Sequence, residues 1–147
     1  MFRRGRRLFS SASIVLLLMA VVHTIGHFAP RGRPAGEKLV DAAMSAYHVD
    51  MGLGMNPSVL DMLQALSLTM PITLTVWALG NLLVAATDQT GRCVKLLAWL
   101  SAAASALLIV LYAYYQIPPP LTFVVVAGIL FLAAGATSSG VREPSHG

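Results

Sequence analysis

Charge is what this sequence has least of. Only 11% of its 147 residues are Asp, Glu, Lys or Arg, against about one quarter in an average soluble domain, while 56% are apolar. A chain of that balance is not built to be solvated by water over most of its surface. The shortage is also regional: no formally charged side chain occurs from Leu8 to Pro30, from Met62 to Thr87, or from Leu96 to Val141. Cysteine is almost missing too. Cys93 stands alone, which excludes an intramolecular disulfide and a cysteine-based metal cluster. Nor is there a phosphate-cradling glycine loop, a nucleophile elbow or a Ser-His-Asp arrangement, so the sequence leans away from an enzyme.

What is present is uninterrupted apolar length. A helix rises about 1.5 Å per residue, so roughly 20 residues cross a hydrocarbon core of about 30 Å. Each uncharged stretch is long enough, and the third holds two crossings separated by Pro118, Pro119 and Pro120, where a helical ladder cannot continue. Strands would need short alternating segments, whereas runs such as Ile14 to Val22 and Phe123 to Ala136 are continuous. The expected fold is all-α: a single membrane domain over 1–147, an integral bundle of four transmembrane helices at about 8–29, 58–86, 94–117 and 121–137. An outer loop over 30–57 and a small, polar tail over 138–147 complete it.

The loop is expected to carry a short amphipathic helix. From Glu37 to His48, Leu39, Val40, Ala43, Met44 and Tyr47 share one helical face, and Lys38, Asp41, Ser45 and His48 the other. Met51 to Pro57 then reads as a flexible return, and Ser58 with Asp61 as a capping box opening the second span.

The net charge of +4 reads as orientation rather than nucleic-acid binding. Arg3, Arg4, Arg6 and Arg7 precede the first span directly, and Arg92, Lys95 and Arg142 fall on the same side of a four-span chain. The positive-inside rule then places both termini on the cytoplasmic side of the membrane. Tyr112, Tyr114, Tyr115 and Trp99 fall at the two ends of the third span, where amphipathic rings prefer the interface. The basic start and apolar run also mimic a secretory signal, with Arg6-Arg7-Leu8-Phe9 close to a twin-arginine fragment. No A-x-A site follows, so the segment is expected to stay as a span.

Inside lipid, helices associate through small residues and interhelical hydrogen bonds rather than hydrophobic burial. Ala98, Ala102 and Ala106, with Ser101 and Ser105 beside them, mark one contact face; Gly128 with Gly135 and Ala127 with Ala134 mark another. The same pattern can also serve a dimer. Pro71 removes a hydrogen bond inside the second span and should bend it. Gln64 and Asn81 read as interhelical hydrogen-bond partners.

The residues with chemistry to offer are His23 and His27, four apart and so on one helical face. Ionisable side chains in a span usually face the bundle interior or a cavity. In one reading both imidazoles are neutral and hydrogen-bond to neighbouring helices. In the other they begin a metal or haem site, completed by His48, Asp61, Asp50, Met51 or Met55 near the outer surface. The H-x-x-x-H spacing lacks the glutamate of the zinc-protease motif, and nothing in the sequence fixes a third ligand. Met51 and Met55 beside His48 suit copper, yet methionine is also used freely as filler elsewhere in the chain. Asp61 has two readings as well, proton carrier or ligand on one side and helix cap on the other.

His23-Thr24-Ile25-Gly26-His27, Ala43-Met44, the Ser58 to Asp61 segment and Tyr115-Gln116-Ile117-Pro118-Pro119-Pro120 together resemble a group of small uncharacterised bacterial four-helix membrane proteins. Their motif is H-T-x-G-H at the end of the first helix. The resemblance implies the architecture and a bacterial cytoplasmic (inner) membrane as the location, and it points at His23 and His27 without assigning them a role. Three functions are therefore set against one another. The first is a non-enzymatic accessory or stabilising subunit of a larger membrane complex, partnered by the lipid bilayer and by other membrane subunits, with no cofactor and no nucleic acid. The second is a His-based metal or haem site for redox transfer or metal handling. The third, a transporter or channel subunit, lacks paired charges in mid-membrane.

Overall fold

The computed structural model describes residues 2–29, 32 and 34–138, and over these it is all-helical. The helices are α1 (Phe2–Phe28), α2 (Ala35–Ala46), α3 (Val59–Thr87), α4 (Arg92–Tyr114) and α5 (Pro118–Thr137). Of these, α1, α3, α4 and α5 are long and apolar enough to cross a membrane. The polar tail expected beyond Ser138, with Arg142, lies outside the described residues, as do Arg31 and Arg33 of the first loop.

Helix ends differ from the expectation where local chemistry extends or trims them. The first helix begins at Phe2 rather than near Leu8, so the arginine cluster is itself helical. The three prolines do not form a loop; they are the first turn of α5. The first N–H groups of a helix have no intrahelical acceptor, so residues lacking them cost nothing there. Just before them α4 closes with Ile117 N–H on the Tyr112 carbonyl at 2.9 Å and Gln116 N–H on that of Ala113 at 3.2 Å. Gln116 sits at φ 53°, the left-handed residue that such a helix terminus requires. The tight reversal this makes leaves no room for a longer linker.

At the other end of α4, Asp88 organises the turn from α3. One carboxylate oxygen accepts the Thr90 N–H at 2.9 Å, the Thr90 hydroxyl at 2.9 Å and the Gly91 N–H at 3.0 Å; the other accepts the Val94 N–H at 2.9 Å. Partial burial pushes this carboxyl up, but the hydrogen bonds from Val94, Thr90 and Gly91 together outweigh it and hold the group below its ordinary value of 3.8. Gly91, at φ 76°, supplies the left-handed step between the turn and the helix.

The chain divides into two compact units, Met1–Ala20 with Leu74–Gly147, and Val21–Thr73. In the first, Phe131 of α5 is fully buried. Phe9 of α1 meets it edge-on at 5.6 Å and Trp77 of α3 stacks on it at 6.2 Å; such pairs contribute about 0.5–1.5 kcal/mol each beyond their buried area. Trp77 also donates its indole N–H to the Ser101 hydroxyl at 3.2 Å, and Asn81 donates its amide to the same oxygen at 3.4 Å. Asn81 is thus the interhelical partner expected, whereas Gln64 is exposed.

Small residues set how closely these helices approach. A methyl group on Gly128 would lie 3.2 Å from Ser105 Cβ, and one on Gly135 3.0 Å from the Trp99 ring. Ala98, Ser101, Ala102 and Ser105 are buried as expected, but Ala106 is exposed. The α4 face drifts to Ser105 because a helix turns 3.6 residues per turn, not four. The closest approach was not anticipated: a methyl on Gly5 of α1 would collide with the Ser138 hydroxyl and stand 3.0 Å from the Ser138 backbone N and 3.2 Å from the Ala134 carbonyl.

Gly80 is the opposite case, mid-helix and exposed with nothing within 4 Å of its Cβ position. Gly5→Ala is therefore expected to lower stability by about 1–3 kcal/mol, because the atoms it meets include backbone that cannot swing aside. Gly80→Ala is expected to raise stability by up to about 1 kcal/mol through helix propensity. Thermal unfolding of both variants in micelles distinguishes them, and a stabilised Gly5→Ala protein would contradict the packing described.

Candidate functional site

The second unit contains every residue singled out as a candidate ligand. Its organising feature is a proline. Pro71 lies inside α3, and having no N–H it leaves the carbonyl four residues earlier, that of Ser67, without its helical donor. In lipid such a carbonyl has no water to turn to, so a neighbouring group has to satisfy it. His23 of α1 does so, with Nε2 3.0 Å from the Ser67 carbonyl and 3.2 Å from the Ser67 hydroxyl. His27, one turn further along α1, places Nδ1 3.2 Å from that same hydroxyl.

Proton positions follow from the partners. A carbonyl can only accept, so His23 Nε2 carries the hydrogen. The Ser67 hydroxyl lies within hydrogen-bond reach of both rings, and the direction of its bond to His27 Nδ1 is set by the tautomer of that ring. Both rings are half-buried, and His27 packs edge-on against Phe28 at 4.9 Å.

His48 and Asp61 occupy a second cluster, the α2–α3 loop. His48 Nδ1 donates to the Asn56 carbonyl at 2.8 Å. Ser58 and Asp61 form the reciprocal cap expected of them: the Ser58 hydroxyl accepts the Asp61 N–H at 3.1 Å, while the Asp61 carboxylate accepts the Ser58 N–H at 3.0 Å and its O–H at 2.7 Å. Asp50 takes the Gly52 N–H at 2.9 Å.

The loop expected as a loose return is a tight hairpin-like reversal instead. His48 and Ser58 form an antiparallel bridge. Val59 donates to Tyr47, Val49 to Pro57 and Met51 to Met55, at 3.0, 3.0 and 3.1 Å. Gly52, Leu53 and Gly54 turn the tip with φ of 77°, 54° and 77°, and two glycines make that left-handed run affordable. Leu53, which has no such freedom, stands 97% exposed at its apex.

The histidines therefore converge in a pair and not in a larger set. His23 and His27 meet at Ser67; His48 and Asp61 belong to the loop, where both capping bonds fall on Asp61 Oδ2. Among the described residues there is no group of three or more His, Cys, Asp or Glu placed to hold a metal ion. The residue that sequence reasoning missed is Ser67. Counting back four from Pro71 finds the orphaned carbonyl, but nothing in the sequence says which donor reaches it. No protein-family profile, curated protein or solved structure matches the chain.

If His23 serves the carbonyl that Pro71 orphans, the two positions are coupled. His23→Ala is expected to cost about 1–3 kcal/mol, the penalty of a buried acceptor left without a donor. Pro71→Ala restores an intrahelical N–H for Ser67, so in that background the cost of His23→Ala should shrink to a fraction of its former size. A double-mutant cycle on unfolding in micelles measures this; additive effects would refute the pairing.

Proposed function

We propose that the chain is a non-enzymatic multi-pass membrane protein that acts as an accessory or stabilising subunit of a larger membrane assembly. Its polar groups within the spans support this reading by what they are used for. His23, Ser67 and His27 bond to one another, and Trp77, Asn81 and Ser101 do the same. These are contacts that hold helices together.

The observation that carries the reading is one face of α3. Within the first unit Val76, Gly80, Leu83 and Thr87 are all exposed, and their spacing of four, three and four is the 3.5-residue period of a seam between two helices. The Thr87 hydroxyl is turned back onto the Leu83 carbonyl at 2.9 Å, so the face is smooth as well as narrow. Gly80 lies within it. A glycine facing lipid weakens a helix to no purpose, whereas one facing another helix lets the backbones approach.

The location proposed is a bacterial cytoplasmic membrane. Arg3 to Arg7 and the Asp88 turn lie on the cytoplasmic side, following the positive-inside rule. On the other side α2 rests on the membrane surface. It has no buried residue, and Leu39 and Val40 are more than half exposed, as befits a helix whose apolar face meets lipid.

Two experiments test the proposal. In mild detergent extracts of its native membrane, the protein is expected to migrate with a partner subunit, and Gly80→Leu to abolish that larger species while leaving the isolated protein as stable as before. A wild-type protein that migrates alone would remove the subunit reading. Cys93, exposed at the start of α4, reports orientation without mutagenesis. A membrane-impermeant maleimide should label it only after spheroplasts are opened, and labelling of intact spheroplasts would invert the assigned topology.

A further inference from the structure

The arginine-rich start of α1 borders an open groove of about 600 Å³, lined by Arg3, Arg6, Arg7, Ser10, Ser11 and Ile14. Arg6 is already engaged, donating to the Ala86 carbonyl in the last turn of α3 at 3.3 Å. Arg3 and Arg7 are exposed, and among the described residues neither has a carboxylate partner. The unit that holds them offers one described carboxylate, Asp88, and both its oxygens are taken by Thr90, Gly91 and Val94. The first turn of α1 contains no acidic residue, so its cations face the positive end of the helix dipole uncompensated. An anion from outside the chain answers both needs.

The order of residues along the groove says which anion. Arg3, Arg7 and Ser10 lie on one helical face, Ser11 borders it, and Ile14 completes it, over about 16 Å of helix axis. Elsewhere in the helices hydroxyls bond back to the carbonyl four residues earlier, as Ser13 does to Phe9 at 2.9 Å and Thr122 to Pro118 at 3.2 Å. Ser10 and Ser11 make no such bond among the described residues and keep their hydroxyls available. Guanidinium groups, then hydroxyls, then an apolar side chain at the edge of a membrane span repeat the sequence of a phospholipid: phosphate, glycerol esters, acyl chain.

The geometry points to a binding site for one anionic glycerophospholipid in this groove. Arg3 and Arg7 hold the phosphate, Ser10 and Ser11 donate to the ester oxygens, and the acyl chains run along Ile14. Arg4 supplies the internal control, because it is exposed on the same turn and carries the same charge without lining the groove.

The full chain in nanodiscs or mild detergent, titrated with phosphatidylglycerol or phosphatidylcholine and read by native mass spectrometry, tests this directly. Retention of phosphatidylglycerol over phosphatidylcholine is expected. Arg3→Gln or Arg7→Gln should each weaken it about fivefold, the effect of one interfacial cation, while Arg4→Gln leaves it unchanged. Helix content by circular dichroism verifies that each variant is folded. Equal losses in all three variants would reduce the effect to general membrane charge, and equal retention of the two lipids would abolish the site. Displacement of the lipid by excess inorganic phosphate would make it a free-phosphate site and overturn the lipid assignment.

Discussion

A peptide group in hydrocarbon must find its hydrogen-bond partner within protein, and the helices of this chain are arranged around that demand. Most carbonyls are satisfied by their own helix. The exception written into the sequence is Ser67, whose donor is removed by Pro71, and the exception is met by an imidazole from a different helix. One covalent fact about proline thus dictates where α1 and α3 must touch within the second unit, and it explains why a histidine is tolerated in a span. The imidazole replaces an absent backbone N–H. It holds the two helices together because a donor is needed there.

The first unit meets the same demand differently. No proline interrupts its helices beyond the first turn of α5, so side-chain hydrogen bonds there serve association rather than repair. Trp77 and Asn81 converge on the Ser101 hydroxyl and use both of its lone pairs. Individually such bonds average only about 0.6 kcal/mol between membrane helices, so shape has to contribute the rest. Gly5 lies against the backbone of Ala134 and Ser138, Gly128 and Gly135 make room for Ser105 and the Trp99 ring, and Phe131 fills the space between Phe9 and Trp77. The Ser105 and Ser138 hydroxyls are buried without a hydrogen-bond partner. Both stand beside one of those glycines, where room for a partner is least.

The polar residues outside the spans are spent on turns. Asp88 gathers four donors to start α4, Asp61 and Ser58 cap α3, and Asp50 and His48 brace the loop between α2 and α3. These are short-range contacts within single loops, unlike the His23–Ser67 bond that joins two helices.

Composition alone determined the architecture: stretches without charge, too long for strands and divided by proline, permit only helices of membrane-spanning length. The capping box at Ser58 and Asp61 and the glycine faces of α5 were equally legible, because each depends on residues three to seven apart in one element. What only tertiary structure decided is everything that joins distant segments. Pro71 announced an orphaned carbonyl, but its donor lies 44 residues away from Ser67, and no periodicity encodes such a meeting. Whether His23 and His27 would find His48 or a serine, whether Gly5 would meet Ser138, and which of the arginines would remain unpaired all depended on how helices lie side by side. In a bilayer that arrangement is set by complementary shape and a few hydrogen bonds, neither of which leaves a pattern along one strand of sequence.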